Sequence, residues 1–214
     1  SEMCIRDSYY AMIAQIDDQF GRILQTLDET GQRDNTVIIF TSDHGGQWPF
    51  GKWILYADGT RVPLQVYWPG KIKAGLRTNA MVSCVDILPT LIDLVGGKVP
   101  KEIDGQSFVP VLLVKKKVHR DKIFTTNTGD KEMNVFPIRS VRMGKYKYIH
   151  NLTPDAYHTN HSDRLRSDGR GAYWHSWYAA AKTNSKAAAI VKRYHVRPEF
   201  ELFDLEKDPN ELKN

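Results

Sequence analysis

Three side chains in the first quarter of the chain are of the right types to do chemistry together: Asp43, His44 and Lys52. Asp43 offers hard carboxylate oxygens, the donors that divalent cations such as calcium take. His44 adds an imidazole, which suits a transition metal or can donate to an oxygen of an anion. Lys52 adds a compact positive charge that can face developing negative charge. A carboxylate, an imidazole and an ammonium on one loop can hold a metal and a tetrahedral anion at once. Each residue also has a plainer use: an aspartate caps turns, a histidine bonds its own loop, and most lysines are solvated.

The elements around them would place them well. Thr36-Val37-Ile38-Ile39-Phe40 is an apolar, β-branched run that predicts a buried strand, and it delivers Asp43, His44, Gly45 and Gly46 at its C-terminal end. Open α/β sheets bind ligands at that end. Residues 45–60 form a loop rich in glycine and aromatics (Trp48, Phe50, Trp53, Tyr56), rings that stack on sugars or fill a core equally well. Arg61 closes the loop, either orienting it or touching an anion. Upstream, Met12, Ile13, Ile16, Phe20, Ile23, Leu24 and Leu27 fall on one stripe and predict a helix over 9–30, capped by Ser8 and stopped by Gly31. Asp17 and Asp18 lie off that stripe, on a solvated face. Downstream, residues 62–68 read as a second strand and 86–95 as a second helix with Pro89 in its first turn.

From about Lys101 the texture changes. Residues 122–126, 137–142 and 146–150 read as short strands, the last two joined by a turn at Met143-Gly144-Lys145. Residues 157–178, with His158, His161, Trp174, His175 and Trp177, read mostly as loop, the place where substrate choice is commonly set. Residues 185–194 read as a helix capped by Ser185, and 201–205 as a terminal strand. The expected class is α/β with a mixed sheet, followed by a small α+β subdomain with an antiparallel sheet. Expected boundaries are a non-native leader over 1–8, a first domain over 9–112 and a subdomain over 113–214 cut short at its end.

The formal net charge of +5 favours anionic partners such as sulfated or phosphorylated compounds and acidic glycans. Lysines and arginines are spread out and no recognition motif appears, which disfavours a nucleic-acid binder. Lys115-Lys116-Lys117 reads as a solvated turn. Two cysteines, Cys4 and Cys84, make neither a disulfide framework nor a metal cluster. No stretch approaches the roughly 20 apolar residues of a membrane span.

Five phrases in order carry a resemblance: TVIIFTSDHGG, the following Gly51-Lys52, RVPLQVYWPGKI, DILPTL with DGQSF, and the closing ELFDLEKDPNEL. Together they resemble the sulfatases of the alkaline phosphatase superfamily, from Tyr9 onward. PFGKWILYADGTRVPL, FPIRSVR and YKYIHNL are most similar to heparan N-sulfatase (sulfamidase)-like members. The resemblance implies an alkaline-phosphatase-like sandwich and a calcium-dependent hydrolase of carbohydrate sulfate esters or sulfamates, secreted, periplasmic or lysosome-like. It implies Asp43 and His44 as metal ligands and His44 and Lys52 as catalytic groups, and residue type and position add Trp53, Arg61 and His175 beside Lys52 as candidates for the substrate. Its nucleophile, a formylglycine made within a Cys/Ser-x-Pro-x-Arg motif, has no counterpart among these residues. The resemblance places it in an N-terminal half outside the chain, so the 214 residues alone are expected to be inactive. Many sulfatases carry Asn where His44 stands. That leaves a phosphodiesterase or phosphonate hydrolase of the same superfamily as an alternative, and a glycan-binding pseudoenzyme as another.

Overall fold

The computed structural model describes residues 2–129, 135–164 and 171–214. It divides into two compact units, one formed by residues 1–40 with 64–77, the other by 41–63 with 78–214. The split cuts between Phe40 and Thr41, so the loop carrying Asp43, His44 and Lys52 belongs with the C-terminal part of the chain.

The first unit holds α1 (Glu2–Glu29), most of β1 (Ile38–Thr41) and β2 (Leu64–Tyr67), the two strands forming a two-stranded sheet. α1 starts earlier than expected and runs through Ser8, which therefore caps nothing. The helix meets the sheet through Phe20 and Phe40, ring centroids 5.5 Å apart. A two-point ion pair from Arg33 to Asp28 fixes the turn after the helix. The apolar stripe is only partly covered: Phe20, Leu24 and Leu27 are half-buried, while Met12, Ile13, Ile16 and Ile23 are exposed.

The second unit is built on an antiparallel sheet, ordered β3 (Lys122–Asn127), β4 (Ile138–Met143), β5 (Tyr146–Asn151) and β6 (Phe200–Asp204). Alternation gives it two faces. One carries Ile138, Ser140, Lys147, Ile149, Asn151, Glu201 and Phe203, all buried. The other presents Phe124, Tyr146, Tyr148, Phe200 and Leu202 to solvent. What covers the inner face is the loop: Ile54, Leu55 and Tyr56 form one apolar cluster with Ile138, Ile149 and Phe203, with Phe50 and Leu205 against it.

Two charged residues sit on that inner face, each with partners. The Tyr56 hydroxyl donates to Glu201 at 2.6 Å, and Asn151 donates to the other Glu201 oxygen at 2.8 Å. Lys147 pairs with Glu211 at 2.8 Å. The remaining elements are α2 (Ala57–Thr60), α3 (Ile87–Leu94), α4 (Val109–Leu112), α5 (Ala172–Ala181) and α6 (Ser185–His195). Residues 171–178, expected in a loop, are helical or lead into the helix, and α6 is capped by the Asn184 side chain rather than by Ser185.

α5 and α6 meet around a buried histidine pair. His195 Nδ1–H donates to the His158 carbonyl at 2.6 Å, which leaves Nε2 to accept from the Tyr178 hydroxyl at 2.7 Å. Burial, reinforced by the charge of Arg197, pushes His158 down to about 4, and burial also lowers His195. Both are therefore neutral in the folded chain at neutral pH. Since the unfolded chain binds these protons first, stability is expected to fall as pH drops from about 6.5 toward 4. Urea midpoints compared at about pH 7 and about pH 4.5 check this, and a flat profile would contradict it.

Candidate active site

The site begins where β1 ends. Asp43 Oδ1 accepts from the His44 amide at 3.0 Å, while the side chain stays 82% exposed. The Ser42 hydroxyl donates to the His44 carbonyl at 2.8 Å. His44 Nδ1 lies 2.7 Å from the Gly45 carbonyl. A carbonyl can only accept, so Nδ1 holds the proton and a neutral ring presents a lone pair at Nε2. That Nε2 is 3.2 Å from Asp43 Oδ2. Two acceptors this close are reconciled by a proton on Nε2 or by a cation that both bind. The pair thus fits one edge of a metal's coordination sphere. It is not a whole site: calcium takes about six to eight oxygens, and among the described residues no three His, Cys, Asp or Glu converge.

After Gly46 the chain folds back on itself in a tight knot. The Gly45 amide donates to the Gly59 carbonyl at 3.0 Å, and the amides of Trp48 and Lys52 both donate to the Gly46 carbonyl. A Cβ on Gly45 would lie 1.6 Å from the Asp58 carbonyl oxygen, and one on Gly51 2.3 Å from that of Gly46. Backbone meets backbone at both points, so only glycine fits. Phe50 and Trp53, on either side of Lys52, hold left-handed φ of 65° and 74°. Such conformations cost about 1–3 kcal/mol each and persist only when the surroundings impose them.

The surroundings do. Trp48 packs on Tyr173 at 5.1 Å, Trp53 stacks on His161 at 5.2 Å, and Phe50 meets Tyr194 at 5.4 Å. Asn127 donates to the Trp53 carbonyl at 2.9 Å. Lys52 Nζ rests 4.8 Å from the Trp53 ring, a cation–π contact, and has no carboxylate at ion-pair distance among the described residues. Its charge is therefore available to a ligand.

The sequence-derived candidates divide accordingly. Asp43 and His44 are adjacent and convergent, and Lys52 shares their knotted loop. Trp53 is held against His161, so it supports Lys52 rather than offering an open face to a sugar. Arg61 is exposed where α2 ends, its amide closing on the Ala57 carbonyl at 2.7 Å. His175 stands elsewhere, on exposed α5, lining an open groove of about 430 Å³ with Tyr157, Asp163, Arg164 and Tyr178. The sequence reading missed Glu201, Lys147 and Glu211, which anchor the loop from the sheet side. The closing ELFDLEKDPNEL phrase was visible, but nothing local to it says that Glu211 is 1% exposed.

Comparison with known proteins places relatives along most of the chain. Residues 4–97 match the sulfatase family model. The chain is 32% identical over 205 residues to an ulvan-active sulfatase of Formosa agariphila, covering 96% of this chain and 33% of that protein. It is 39% identical over 118 residues to the N-acetylglucosamine-6-O-sulfatase of Bacteroides thetaiotaomicron, covering 53% of this chain and 21% of that one. The solved structure of BT4656 with its substrate D-glucosamine-2-N,6-O-disulfate superposes with a TM-score of 0.68 at 25% identity, over 94% of this chain and 34% of that one. The chain thus spans about a third of the length of the relatives it matches end to end. With its mixed α/β architecture and antiparallel sheet, it belongs to the sulfatases of the alkaline phosphatase superfamily.

Proposed function

We propose that these residues form the metal-edge and leaving-group side of a sulfatase active site acting on sulfated carbohydrates, with the nucleophile supplied from outside the 214 residues. The observation that carries this reading is the convergence of Asp43 and His44 at the end of β1, followed on the same knotted loop by Lys52, which has no ion-pair partner among the described residues. A calcium ion, when bound, would polarise the sulfate oxygens as a Lewis acid. Asp43 would ligate it through Oδ2 and His44 through Nε2. Lys52 Nζ would face the sugar oxygen or nitrogen as it departs, offsetting its charge or giving it a proton. Arg61 and His175 remain candidates for binding the rest of an anionic glycan. A formylglycine is the expected nucleophile, and the chain's residues by themselves are expected to turn nothing over. Secretion, or a periplasmic or lysosome-like location, goes with the same reading, as does a division into 9–112 and 113–214.

A sulfated sugar is favoured by two similarities: to a protein solved with a disulfated glucosamine and to an N-acetylglucosamine-6-O-sulfatase. His44, an imidazole where calcium prefers oxygen, favours phosphonate or phosphodiester hydrolysis instead. The test is to express the open reading frame containing these residues and supply calcium. It is then assayed by ion chromatography on glucosamine 6-O-sulfate and glucosamine N-sulfate, and by absorbance on 4-nitrophenyl phenylphosphonate. Sulfate release is the expected result, and its source separates O- from N-sulfate. Phosphonate hydrolysis without sulfate release would move the assignment to the phosphonate reading. Binding of the sugars with no turnover of any of the three would make the protein a glycan binder.

A further inference from the structure

Glu211 holds the active-site loop in its strained form; we propose that it is a positioning residue for Lys52. This rests on the sulfatase reading only for its catalytic consequence. One carboxylate, 1% exposed, ties two parts of the second unit together. Its Oε2 accepts from the Ala57 amide at 2.5 Å, where the loop turns into α2. Its Oε1 is paired with Lys147 Nζ at 2.8 Å, on the inner face of β5, and that lysine side chain is 5% exposed. The backbone of Glu211 is itself left-handed, with φ of 53°, and its carbonyl takes a hydrogen bond from Arg193. The same Arg193 guanidinium lies 5.0 Å over the Phe50 ring and 5.1 Å over Tyr56. Phe50 and Ala57 bracket Lys52, so both sides of the lysine are held from the closing segment of the chain.

The charges make the arrangement all-or-none. Burial lowers the pKa of Lys147, and Glu211 is what offsets that burial. Remove the carboxylate and a buried ammonium loses its partner while the Ala57 amide loses its acceptor. The loop then has three reasons to relax: the freed amide, the left-handed Phe50 and the left-handed Trp53. In the sheet the loss falls on the Lys147 side chain alone, because the ladder hydrogen bonds from β3 to β6 do not involve Glu211. A positioning role and a general structural role therefore part company in one measurement.

The experiment is amide hydrogen exchange, followed by NMR, on three proteins: unmodified, Glu211→Ala, and the pair Glu211→Gln with Lys147→Met. In Glu211→Ala, the amides of Gly45, Lys52 and Gly59 are expected to exchange at least about tenfold faster, while those of Val141 and Ile149 keep their protection. The paired variant keeps an acceptor for Ala57 and buries no unpaired charge, so its loop amides should stay within about threefold of the unmodified protein. It also keeps the test decisive should Glu211→Ala fail to fold. In that case Glu211→Leu with Lys147→Met, which takes the acceptor from Ala57 and strands no charge, replaces it as the loosened form. Unchanged loop exchange, or loop and sheet amides loosening together, overturns the proposal. In the open reading frame, the loosened variant should lose about tenfold or more in kcat with little change in KM, and the paired variant should recover it. Equal loss in the paired variant also overturns the proposal. If the unmodified protein releases no sulfate, the sulfatase reading fails, and exchange alone decides whether Glu211 holds the loop.

Discussion

Replacing Lys52 with alanine is expected to lower kcat for sulfate release by about 10²–10³-fold, the loss seen when one preorganised donor facing a developing charge is removed. KM should move far less, because the ammonium acts on the departing atom more than on the bound sugar. The fold should barely notice. Lys52 makes a cation–π contact 4.8 Å from Trp53 and no ion pair among the described residues, so the stability change should be about 0.5–1 kcal/mol at most. Lys52→Arg is not expected to rescue, because a planar guanidinium cannot present the same point charge above Trp53. Full activity in Lys52→Ala would remove the lysine from the site. A large drop in thermal stability alongside the loss of kcat would assign it a structural job instead.

The second large effect is on stability and lies far from Lys52. Asp86 is fully buried and collects four hydrogen bonds, from the amides of Ser83 (2.9 Å) and Gln106 (2.8 Å) and two from Arg120, with His119 Nε2 3.1 Å away. It thereby fastens the start of α3, the turn before α4 and the segment leading into β3. Burial alone would raise its pKa. The Arg120 hydrogen bond, followed by the two amides, overrides that and holds it at about 2. Asp86→Ala leaves two amides without their acceptor and strips the half-buried Arg120 guanidinium of its carboxylate, leaving it the Asp104 carbonyl, and is expected to cost about 3–5 kcal/mol in urea unfolding. A shift below about 1 kcal/mol would show that Arg120 finds another partner. The acid limb follows from the same pKa. Folded Asp86 titrates below the unfolded value, so its contribution is complete above about pH 4 and is lost between there and about pH 2.

Much of this was readable from the chain, and what was not has physical causes. The strand at 38–41 and the chemistry after it were legible because a β-branched run and an Asp-His-Gly-Gly phrase are both local signals. The hairpin at 138–151 was legible from its alternation and turn. Which face of that hairpin is buried was not. Tyr146, Tyr148 and His150 make the more apolar-looking side, yet the structure exposes the tyrosines and buries Lys147, which pairs with Glu211 on the face that Ile54, Leu55 and Tyr56 cover. α5 was read as loop because AYWHSWYAAA has no clean apolar stripe, and its helix is decided by Trp174 seating on Tyr194 at 5.0 Å. The aromatic loop was evenly balanced between sugar platform and core. Of these rings Tyr56 lies in the core cluster with Phe50 packed against it, while Trp53 stacks on His161 and stays half-buried. In the first unit, the stripe of α1 was recognised correctly as a helix face, but Met12, Ile13, Ile16 and Ile23 lie exposed rather than against a core.

The bond from Ala57 to Glu211 also sets an order of events during synthesis. The two residues are 154 positions apart. At about 5–20 residues per second, the loop leaves the ribosome roughly 8–30 seconds before its anchor exists. Through that interval the sheet that will receive Ile54 to Tyr56 is itself incomplete, since its strands β3 to β6 all follow the loop in the chain. The nascent chain thus carries this strained segment unlatched until Glu211 has emerged.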